Sequence, residues 1–337
     1  MTTSTPMTKS SIRAGFSIGV DVGGTKVAAG VVDAAGEIQT QSRKPMAANG
    51  LAAAGLASVT SAIDSLTAMN GNGQGTLAGI GICAPGPLDP ATGVVINPPN
   101  LPCWRNFPLA QEIAKIYNVP VRVDNDGNAA ALAETLWGAG RGYKNVFYTG
   151  IGTGIGTGIV LDGRIYHGHT GAAAEGGHCS IDYRGPRCAC GKLGCIEAYA
   201  SGPSIARRAR AKLLAEPASK SAMLDLAGGS VDAVTTAIVG QAYAAGDPAA
   251  KEILVETVEL LTFWLSNIVD LLDPDVLIFG GGVSTMLQPF FGDIRAGLPK
   301  VSVNPRSGEI PLLPACYGED SGIAGGAALS TLPQNRL

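Results

Sequence analysis

Short runs of apolar residues separated by turn-forming residues predict β-strands over much of the chain. Three runs at the start, residues 16–21, 26–32 and 37–42, are separated by Gly23-Gly24 and by a turn over residues 33–36, a spacing typical of a β-meander. Later runs predict strands over residues 76–83, 120–124, 146–151, 157–161 and 276–279. A stretch rich in glycine and cysteine, residues 170–194, is predicted to be irregular.

Apolar positions at helical spacing predict helices over residues 52–69 and from about 128 to 137. A longer helix is predicted to begin at Asp247-Pro248, an N-cap followed by proline at the first helical position, and to stop near Pro274. A final helix of small residues is predicted to start at Ser321 and to run through Leu329. The sequence of strand, turn and helix occurs twice, which is typical of an α/β protein.

Composition narrows the class of protein. A length of 337 residues favours two domains of roughly 150 residues each. With 46% hydrophobic and 15% charged residues the chain can bury sizeable cores, and its net charge of −3 offers no basic surface for nucleic acid or an anionic membrane. Residues 1–15 are predicted to be a disordered leader without a signal peptide, and no apolar segment reaches the ~18 residues of a membrane span. We therefore expect a cytoplasmic protein with no nucleic-acid or membrane partner.

A glycine turn at the end of the first predicted strand is the first candidate binding element. It contains Asp21, Gly23, Gly24, Thr25 and Lys26. Glycines let backbone N–H groups approach phosphate oxygens, the Thr25 hydroxyl can donate another hydrogen bond, and the Asp21 carboxylate is suited to Mg²⁺. A hairpin with a Gly-Gly turn and no ligand explains the same residues. The fingerprints of P-loop enzymes and Rossmann dehydrogenases are both missing, which disfavours those classes.

Two further glycine runs extend this picture. Glycine alternates with other residues from Gly150 to Gly158, so that one face of an extended segment carries no side chain, while Thr153 and Thr157 add hydroxyls. The run continues one apolar strand into the next, which disfavours a flexible linker. Residues 280–282 are glycines between a buried strand and a helix, where either a flat ligand such as a nucleotide base or a tight packing turn would require them.

Three cysteines and a histidine form a candidate metal site. His178, Cys188, Cys190 and Cys195 supply three thiolates and one imidazole, which is a ligand set for tetrahedral structural zinc. A disulfide or a chance cysteine-rich loop are the alternatives. The remaining cysteines, Cys83, Cys103, Cys179 and Cys316, are interpreted as structural or incidental.

The acid/base candidates lie at a predicted strand end and beside the cysteines. Phosphoryl transfer to an alcohol needs a carboxylate that accepts the hydroxyl proton, and Asp126 suits that role, with Asn125 as a partner for sugar hydroxyls. An Asn-Asp pair that only caps the following helix is the alternative. Glu175 and Glu197 are close in sequence to the metal ligands, which would fix their positions. The other histidines, His167 and His169, are interpreted as ordinary loop residues.

These motifs together resemble the ROK family of bacterial sugar kinases, within the actin/hexokinase/Hsp70 superfamily. The matching segments occur in the family's order over about residues 16–330, and the cysteine motif is the most specific of them. They are Asp21-Val-Gly-Gly-Thr-Lys26, Pro85-Gly-Pro-Leu-Asp89, Pro99-Asn-Leu101 with Trp104, Asn125-Asp-Gly-Asn128, Glu175-Gly-Gly-His178 and Cys188-Ala-Cys-Gly-Lys-Leu-Gly-Cys-Ile-Glu197.

The resemblance implies an α/β fold of two RNase H-like (actin-like ATPase) domains, with a cleft between them that holds ATP, Mg²⁺ and a hexose. The expected domains are residues 16–124 together with 320–337, and residues 125–319 with the zinc loop. Asp126 would be the general base toward the sugar 6-hydroxyl, and His178 would serve both zinc and sugar. The expected sugar contacts are Gly86, Asn125, Asp126, Glu175, His178 and Glu197. The expected ATP contacts are Asp21, Gly23, Gly24, Thr25, Lys26, Gly152, Thr153, Gly154, Gly156 and Gly281.

Within the family the expected activity is that of a glucokinase, and the expected assembly is a homodimer. A kinase for fructose, mannose, N-acetylglucosamine or N-acetylmannosamine is the alternative, as is a sugar-sensing regulator without catalysis. Family repressors carry an N-terminal helix-turn-helix, and about 15 residues before the first strand leave no room for one, which disfavours that branch. Three positions depart from the family pattern: Gly127 replaces alanine, Gly177 replaces a branched apolar residue, and Thr157 interrupts a glycine triplet.

Overall fold

Two five-stranded sheets organise the chain, which we describe from a computed structural model over residues 15–70, 76–216 and 220–332. The predicted leader therefore lies, apart from Gly15, outside the described residues. The first sheet has the order β3-β2-β1-β4-β7. Its strands are β1 (Phe16–Val22), β2 (Lys26–Val32), β3 (Ile38–Pro45), β4 (Leu77–Ala84) and β7 (Val121–Asn125). A small hairpin of β5 (Leu88–Asp89) and β6 (Val94–Val95) stands apart from it.

The second sheet repeats the topology of the first. Its order is β10-β9-β8-β11-β12. The strands are β8 (Val146–Ile151), β9 (Ile155–Leu161), β10 (Arg164–Ile165), β11 (Val276–Gly280) and β12 (Leu312–Pro314). In each sheet three antiparallel strands form a meander, and two strands parallel to the first strand of that meander complete the sheet. The chain is thus built of two α/β halves of like topology.

Eleven α-helices of the described residues surround these sheets. They are α1 (Ala52–Asn70), α2 (Leu109–Tyr117), α3 (Asp126–Leu136), α4 (Glu197–Ala200), α5 (Gly202–Ala215), α6 (Ala222–Leu226), α7 (Thr236–Ala244), α8 (Pro248–Leu272), α9 (Gly282–Leu287), α10 (Phe291–Val301) and α11 (Ser321–Ser330). Among the described residues, no helix is both long and apolar enough to cross a bilayer.

Two short helices lie between the sheets and pack against each other. Helix α11 covers β1 and β4 of the first sheet, while α3 covers β8 and β9 of the second. Close approach of α11 requires glycine on the strands, because a Cβ added at Gly19 would lie 1.8 Å from the carbonyl oxygen of Ile323. The first turns of α3 and α11 both line a cleft between the two halves.

The predicted strands and helices are confirmed, with ends that agree to within three residues. The shift that bears on function is at α3, which begins at Asp126 rather than at residue 128, so that Asp126 occupies the first helical turn. Strand β9 begins at Ile155, two residues before its predicted start. Helix α2, helices α5 to α7 and the short strands β5, β6, β10 and β12 lacked a prediction of their own. The division into domains at residues 124/125 and 319/320 stays a prediction.

Candidate active site

A cleft of about 710 Å³ lies between the two halves and receives twelve of the predicted site residues. Loops at the carboxyl ends of strands from both sheets form its walls, which is where open α/β sheets bind ligands. The predicted residues that line it are Asp21, Gly86, Asn125, Asp126, Gly152, Thr153, Gly154, Gly156, Glu175, His178, Glu197 and Gly281. Positions from residue 21 to residue 281 are thus assembled around one space.

The rest of the first glycine turn is not part of this wall. Residues Gly23 and Lys26 close the β1–β2 turn through a hydrogen bond from the Gly23 N–H to the Lys26 carbonyl. Thr25 and Lys26 are exposed beside the cleft, and Gly24 lies against Asn100, where a Cβ would come within 2.8 Å of the carbonyl oxygen. The assignment of Gly23, Gly24, Thr25 and Lys26 to phosphate binding stays a prediction.

Asn125 and Asp126 stand where β7 passes into α3. The side chain of Asn125 caps the helix, since its Oδ1 accepts the Gly127 N–H at 2.8 Å, as does Oδ1 of Asp126. Asn125 therefore caps the helix and also lines the cleft together with Asp126, and the roles of both residues toward a sugar stay predictions. Asp126 is exposed to the cleft, and desolvation by the surrounding protein raises the pKa of its carboxyl against the opposing effect of hydrogen bonds from backbone N–H groups. A carboxylate with a raised pKa is a better proton acceptor.

Asp21 brings a second carboxylate to the floor of the cleft. Burial and the charge of Asp126 raise its pKa to about 6, despite the opposing charges of Lys26 and Arg43. The first turn of α11 packs directly on it, and a Cβ added at Gly322 would lie 2.5 Å from its Cγ. Two carboxylates that raise each other's cost of ionisation create a negative potential, which is the environment in which a hard cation binds favourably.

The hairpin between β8 and β9 presents bare main chain to the cleft. The Gly152 N–H donates to the carbonyl of Gly154 at 2.9 Å, and Cβ atoms added at Gly152 or Gly156 would meet nothing within 4 Å. Gly154 differs, because a Cβ there would lie 2.6 Å from Oε2 of Glu197. That same oxygen accepts the Ile155 N–H at 2.8 Å. Glu197 therefore holds the hairpin in place.

Packing accounts for the three departures from the family pattern. Thr157 is buried, and its hydroxyl donates to the Ala174 carbonyl and accepts the Gly176 N–H. The Thr157 hydroxyl thus has both of its partners within the protein. The two unusual glycines both pack on β9. A Cβ would lie 2.3 Å from the Thr157 carbonyl oxygen at Gly127 and 1.9 Å from the Ile155 carbonyl oxygen at Gly177.

The predicted metal ligands form a compact group beside the cleft. The ligand atoms of His178, Cys188, Cys190 and Cys195 all lie within 4.8 Å of one another. His178 Nδ1 and Cys188 Sγ are 3.6 Å apart, and the sulfurs of Cys190 and Cys195 are 3.7 Å apart. Tetrahedral zinc with standard bond lengths requires about 3.6 Å between nitrogen and sulfur and about 3.8 Å between two sulfurs. The four side chains therefore fit a zinc ion, whereas their sulfur separations are too long for a disulfide.

Two cleft residues are fixed by their proximity to this group. His178 turns Nδ1 toward Cys188, which leaves Nε2 for a ligand in the cleft. Oε1 of Glu197 lies 3.6 Å from the Cys188 sulfur and 3.9 Å from His178 Nδ1, while its other oxygen holds the glycine hairpin. Glu197 thus joins the cysteine group to the opposite wall of the cleft.

A second cavity, of about 660 Å³, opens beside the first and shares Gly152 and Thr153 with it. Its wall is mostly apolar and comes from α5, α7 and α9. The lining residues include Pro203, Ala206, Thr236, Gly240, Gly282, Val283 and Met286. Gly281 turns the chain between the two cavities at a φ of +84°, and a Cβ there would lie 2.4 Å from the Ile151 carbonyl oxygen. Gly281 is thus required by a tight packing turn, which was one of the two explanations for residues 280–282. Gly282 instead lines the apolar cavity.

Sequence reasoning missed two side chains of this region. His167 does lie in a loop, but its Nε2 donates to Oδ2 of the buried Asp124 at 2.6 Å, so its interpretation as an ordinary loop residue is wrong. Tyr148 is buried, lines the cleft, and lies so close to Gly280 that a Cβ there would meet its hydroxyl at 2.3 Å. No motif or spacing links residue 124 to residue 167. The one available signal was an aspartate at the end of a buried strand, which requires a partner.

Two α/β halves of like topology that enclose a cleft with paired carboxylates and a glycine hairpin define the actin-like ATPase fold. Within that class the chain belongs to the ROK family, whose model matches residues 17–332. The family assignment and the fold class expected from the motifs are both confirmed.

The similar proteins include both kinases and regulators. The chain is 35% identical to a glucokinase of Halalkalibacterium halodurans, covering 95% of this chain and 96% of that protein, and 33% identical to a glucokinase of Streptomyces coelicolor, with coverages of 95% and 98%. A Streptomyces griseus ROK glucokinase, solved with glucose and AMPPNP, superposes with a TM-score of 0.78 at 34% identity, over 94% of this chain and 99% of that one. A ROK transcriptional regulator superposes with a TM-score of 0.82 at 25% identity, over 95% and 78%.

Proposed function

We propose that this protein is an ATP-dependent hexose kinase that phosphorylates the sugar 6-hydroxyl, with glucose as its substrate. The observation that carries the proposal is the position of Asp126, whose carboxylate faces a cleft shared by both halves and has a raised pKa. The similarity to sugar kinases, including glucokinases, supports the same proposed function.

In the proposed reaction Asp126 accepts the hydroxyl proton while the sugar oxygen forms its bond to the γ-phosphorus and the bond from phosphorus to the β–γ bridging oxygen breaks. The bridging oxygen leaves with ADP. Asn125, Glu175, His178 and Glu197 would hold the other hydroxyls, with the backbone near Gly86 closing the pocket. Holding both reactants in one closed site can supply roughly 7–11 kcal/mol of barrier reduction, so positioning carries much of the catalysis.

For the nucleotide we propose that the triphosphate lies along the hairpin Gly152–Gly154 and that the nucleoside enters the neighbouring apolar cavity. The two spaces share Gly152 and Thr153, which gives one ligand a continuous path from apolar base to polar phosphates. Asp21 would hold Mg²⁺, directly or through water, and the ion would neutralise part of the negative charge on the triphosphate.

The Cys₃His group would hold a structural zinc ion. A set of three thiolates and an imidazole has no open position for a catalytic water. The ion would hold the ring of His178 in a fixed orientation. It would also fix Glu197 indirectly, because Glu197 lies next to His178.

A sugar-sensing regulator without turnover is the second candidate, favoured by the similarity to a ROK transcriptional regulator. One assay separates the two. Purified protein with Mg²⁺ and ATP is given glucose, mannose, fructose, N-acetylglucosamine or N-acetylmannosamine, and ADP release is followed by a coupled reaction; polyphosphate replaces ATP in a parallel series with detection of the sugar phosphate. We expect the greatest kcat/KM with glucose and ATP. Hexose binding by calorimetry without turnover of any sugar would contradict the kinase and support the regulator.

A further inference from the structure

A buried carboxylate next to the candidate base is fully engaged by its neighbours. Asp124 is 2% exposed and directly precedes Asn125. Its Oδ1 accepts the Asn125 N–H at 2.7 Å and the side-chain amide of Asn128 at 3.0 Å. Its Oδ2 accepts from Nε2 of His167 at 2.6 Å. The first two donors belong to the same strand–helix junction, so His167 is the partner that comes from elsewhere in the chain.

His167 begins a loop that supplies one rim of the cleft. The loop closes on itself where the Ala173 N–H donates to the His167 carbonyl at 3.1 Å. Residues 171–175 line the cleft and include Glu175, a proposed sugar contact. The tip of this rim touches the other half, since a Cβ added at Gly171 would lie 2.8 Å from Pro90.

The two ends of this rim are held by different groups. At the far end, the Thr157 hydroxyl binds the Ala174 carbonyl and the Gly176 N–H. At the near end, the His167 ring binds Asp124. The segment between them has left-handed backbone at Gly168, Gly171 and Ala174, a conformation that the alanine adopts only under constraint. Loss of the near anchor would therefore free the rim while the far anchor and the surrounding fold stay in place.

We propose that His167 is a positioning residue for the sugar. Its hydrogen bond to Asp124 locks the rim that carries Glu175 to the strand end that carries Asn125 and Asp126, and so sets the distance between the groups that bind the hexose and the group that accepts its proton. This proposal rests on the proposed function. It assigns to the pair a role in sugar affinity that the nucleotide does not share, because none of residues 167–175 lines the apolar cavity.

The test compares two substitutions of equal length. His167→Gln keeps an N–H donor for Asp124, whereas His167→Met fills the same space without one. We expect H167M to raise the KM for hexose, and the hexose Kd measured by calorimetry, about tenfold, corresponding to about 1.4 kcal/mol. The KM for ATP should stay close to that of the wild type, while the melting temperature should fall because a buried carboxylate oxygen loses its donor. H167Q should recover most of the sugar affinity and of the stability. The exposed His169 in the same loop provides the control H169M, which should change neither.

Three results would overturn the proposal: an H167M protein indistinguishable from H169M, an H167M protein that loses affinity for ATP and hexose alike, or an H167M protein that does not fold while H167Q does. Calorimetry with hexose alone keeps this test separate from that of the proposed function. A wild-type protein that binds hexose without turnover would refute the kinase, and the ratio of hexose Kd between H167M and H167Q would still decide the role of His167.

Discussion

The two ends of the cleft differ in what covers their walls: side chains cover the end proposed to hold the sugar, and bare main chain covers the end proposed to hold the triphosphate. The sugar end comprises Asn125, Asp126, Glu175, His178 and Glu197, and the nucleotide end comprises Gly152, Gly154, Gly156 and Gly281. Sugar hydroxyls require donors and acceptors at fixed positions, whereas phosphate oxygens require close approach of backbone N–H groups. Each end is therefore rigid for its own reason: the sugar end through partners of its side chains, the nucleotide end through its packing.

The Glu197 side chain joins the two ends through its two carboxylate oxygens. Glu197 accepts the Ile155 N–H of the hairpin with one oxygen and lies near Cys188 and His178 with the other. Disturbance of the cysteine group should therefore reach the nucleotide end in weakened form, while a change within the hairpin away from Gly154 should leave the sugar end intact. Four predictions test this division.

The largest effect is expected at Asp126. Replacement by alanine removes the proposed proton acceptor but no metal or packing partner, so we expect kcat to fall about 10³-fold or more, at the upper part of the range for general bases. The hexose Kd, measured by calorimetry, should change less than threefold. Near-normal turnover by D126A would remove Asp126 from the mechanism, and a large loss of hexose affinity would make it a binding residue instead.

The next effect is expected at the cysteine group. Cys190→Ser, or removal of the metal by a chelator, should loosen His178 and Glu197 and weaken hexose binding about ten- to hundredfold, the usual cost of losing groups that orient a site. ATP affinity should fall by less, because the effect reaches the hairpin indirectly, through the hydrogen bond between Glu197 and Ile155. Elemental analysis should find one zinc per active chain. Cys316→Ser, at an exposed cysteine outside the group, is the control; active protein without stoichiometric metal would contradict the prediction.

The sequence predicted the two ends of the cleft to different extents. At the nucleotide end the bare main chain of residues 150–158 was predictable, because its signal is local: glycines alternate with other residues between two apolar runs. Gly23, Gly24, Thr25 and Lys26 lie outside the wall of the cleft, and their contact with ATP stays a prediction. At the sugar end the ligand groups were predictable from their motifs, but their supports were not. The pairing of Asp124 with His167 joins positions 43 residues apart, and no periodicity connects them. The partners of the Thr157 hydroxyl were not predictable either, because they belong to a loop that closes over it from residues 174–176.

Asp21 should make stability depend on pH in an unusual direction. Its pKa is about 6 in the folded protein against 3.8 for a free aspartate, so the folded state binds more protons between these values and stability falls as the pH rises through that window. Asp21→Asn removes this penalty and should stabilise the protein above pH 6 by on the order of 2 kcal/mol, with solvent screening allowed for. At pH 4 the two proteins should unfold at nearly the same temperature.

Thermal melts of D21N and wild type between pH 4 and pH 8, without nucleotide, measure this effect. The kinase activity of D21N should be lower than that of the wild type, because the Asp21 carboxylate is the proposed ligand for Mg²⁺. Equal melting temperatures at pH 8 would show that the Asp21 carboxylate does not destabilise the folded state.

The smallest effects are expected from two glycine-to-alanine substitutions in the hairpin, one of which should lower stability and the other the affinity for ATP. Gly156 and Gly158 lie two residues apart on β9, yet a Cβ at Gly158 would lie 2.2 Å from the carbonyl oxygen of Gly127, while one at Gly156 meets nothing within 4 Å. Gly158→Ala should therefore cost about 1–3 kcal/mol of stability through overpacking against α3, which carries Asp126. Gly156→Ala should leave the melting temperature unchanged and raise the KM for ATP about tenfold or less, because its methyl group enters the space proposed for the phosphates. Denaturant unfolding and steady-state kinetics of the two variants provide the comparison. A Gly156→Ala protein with an unchanged KM for ATP would place the triphosphate elsewhere, and the nucleotide end would then owe its bare surface to packing alone.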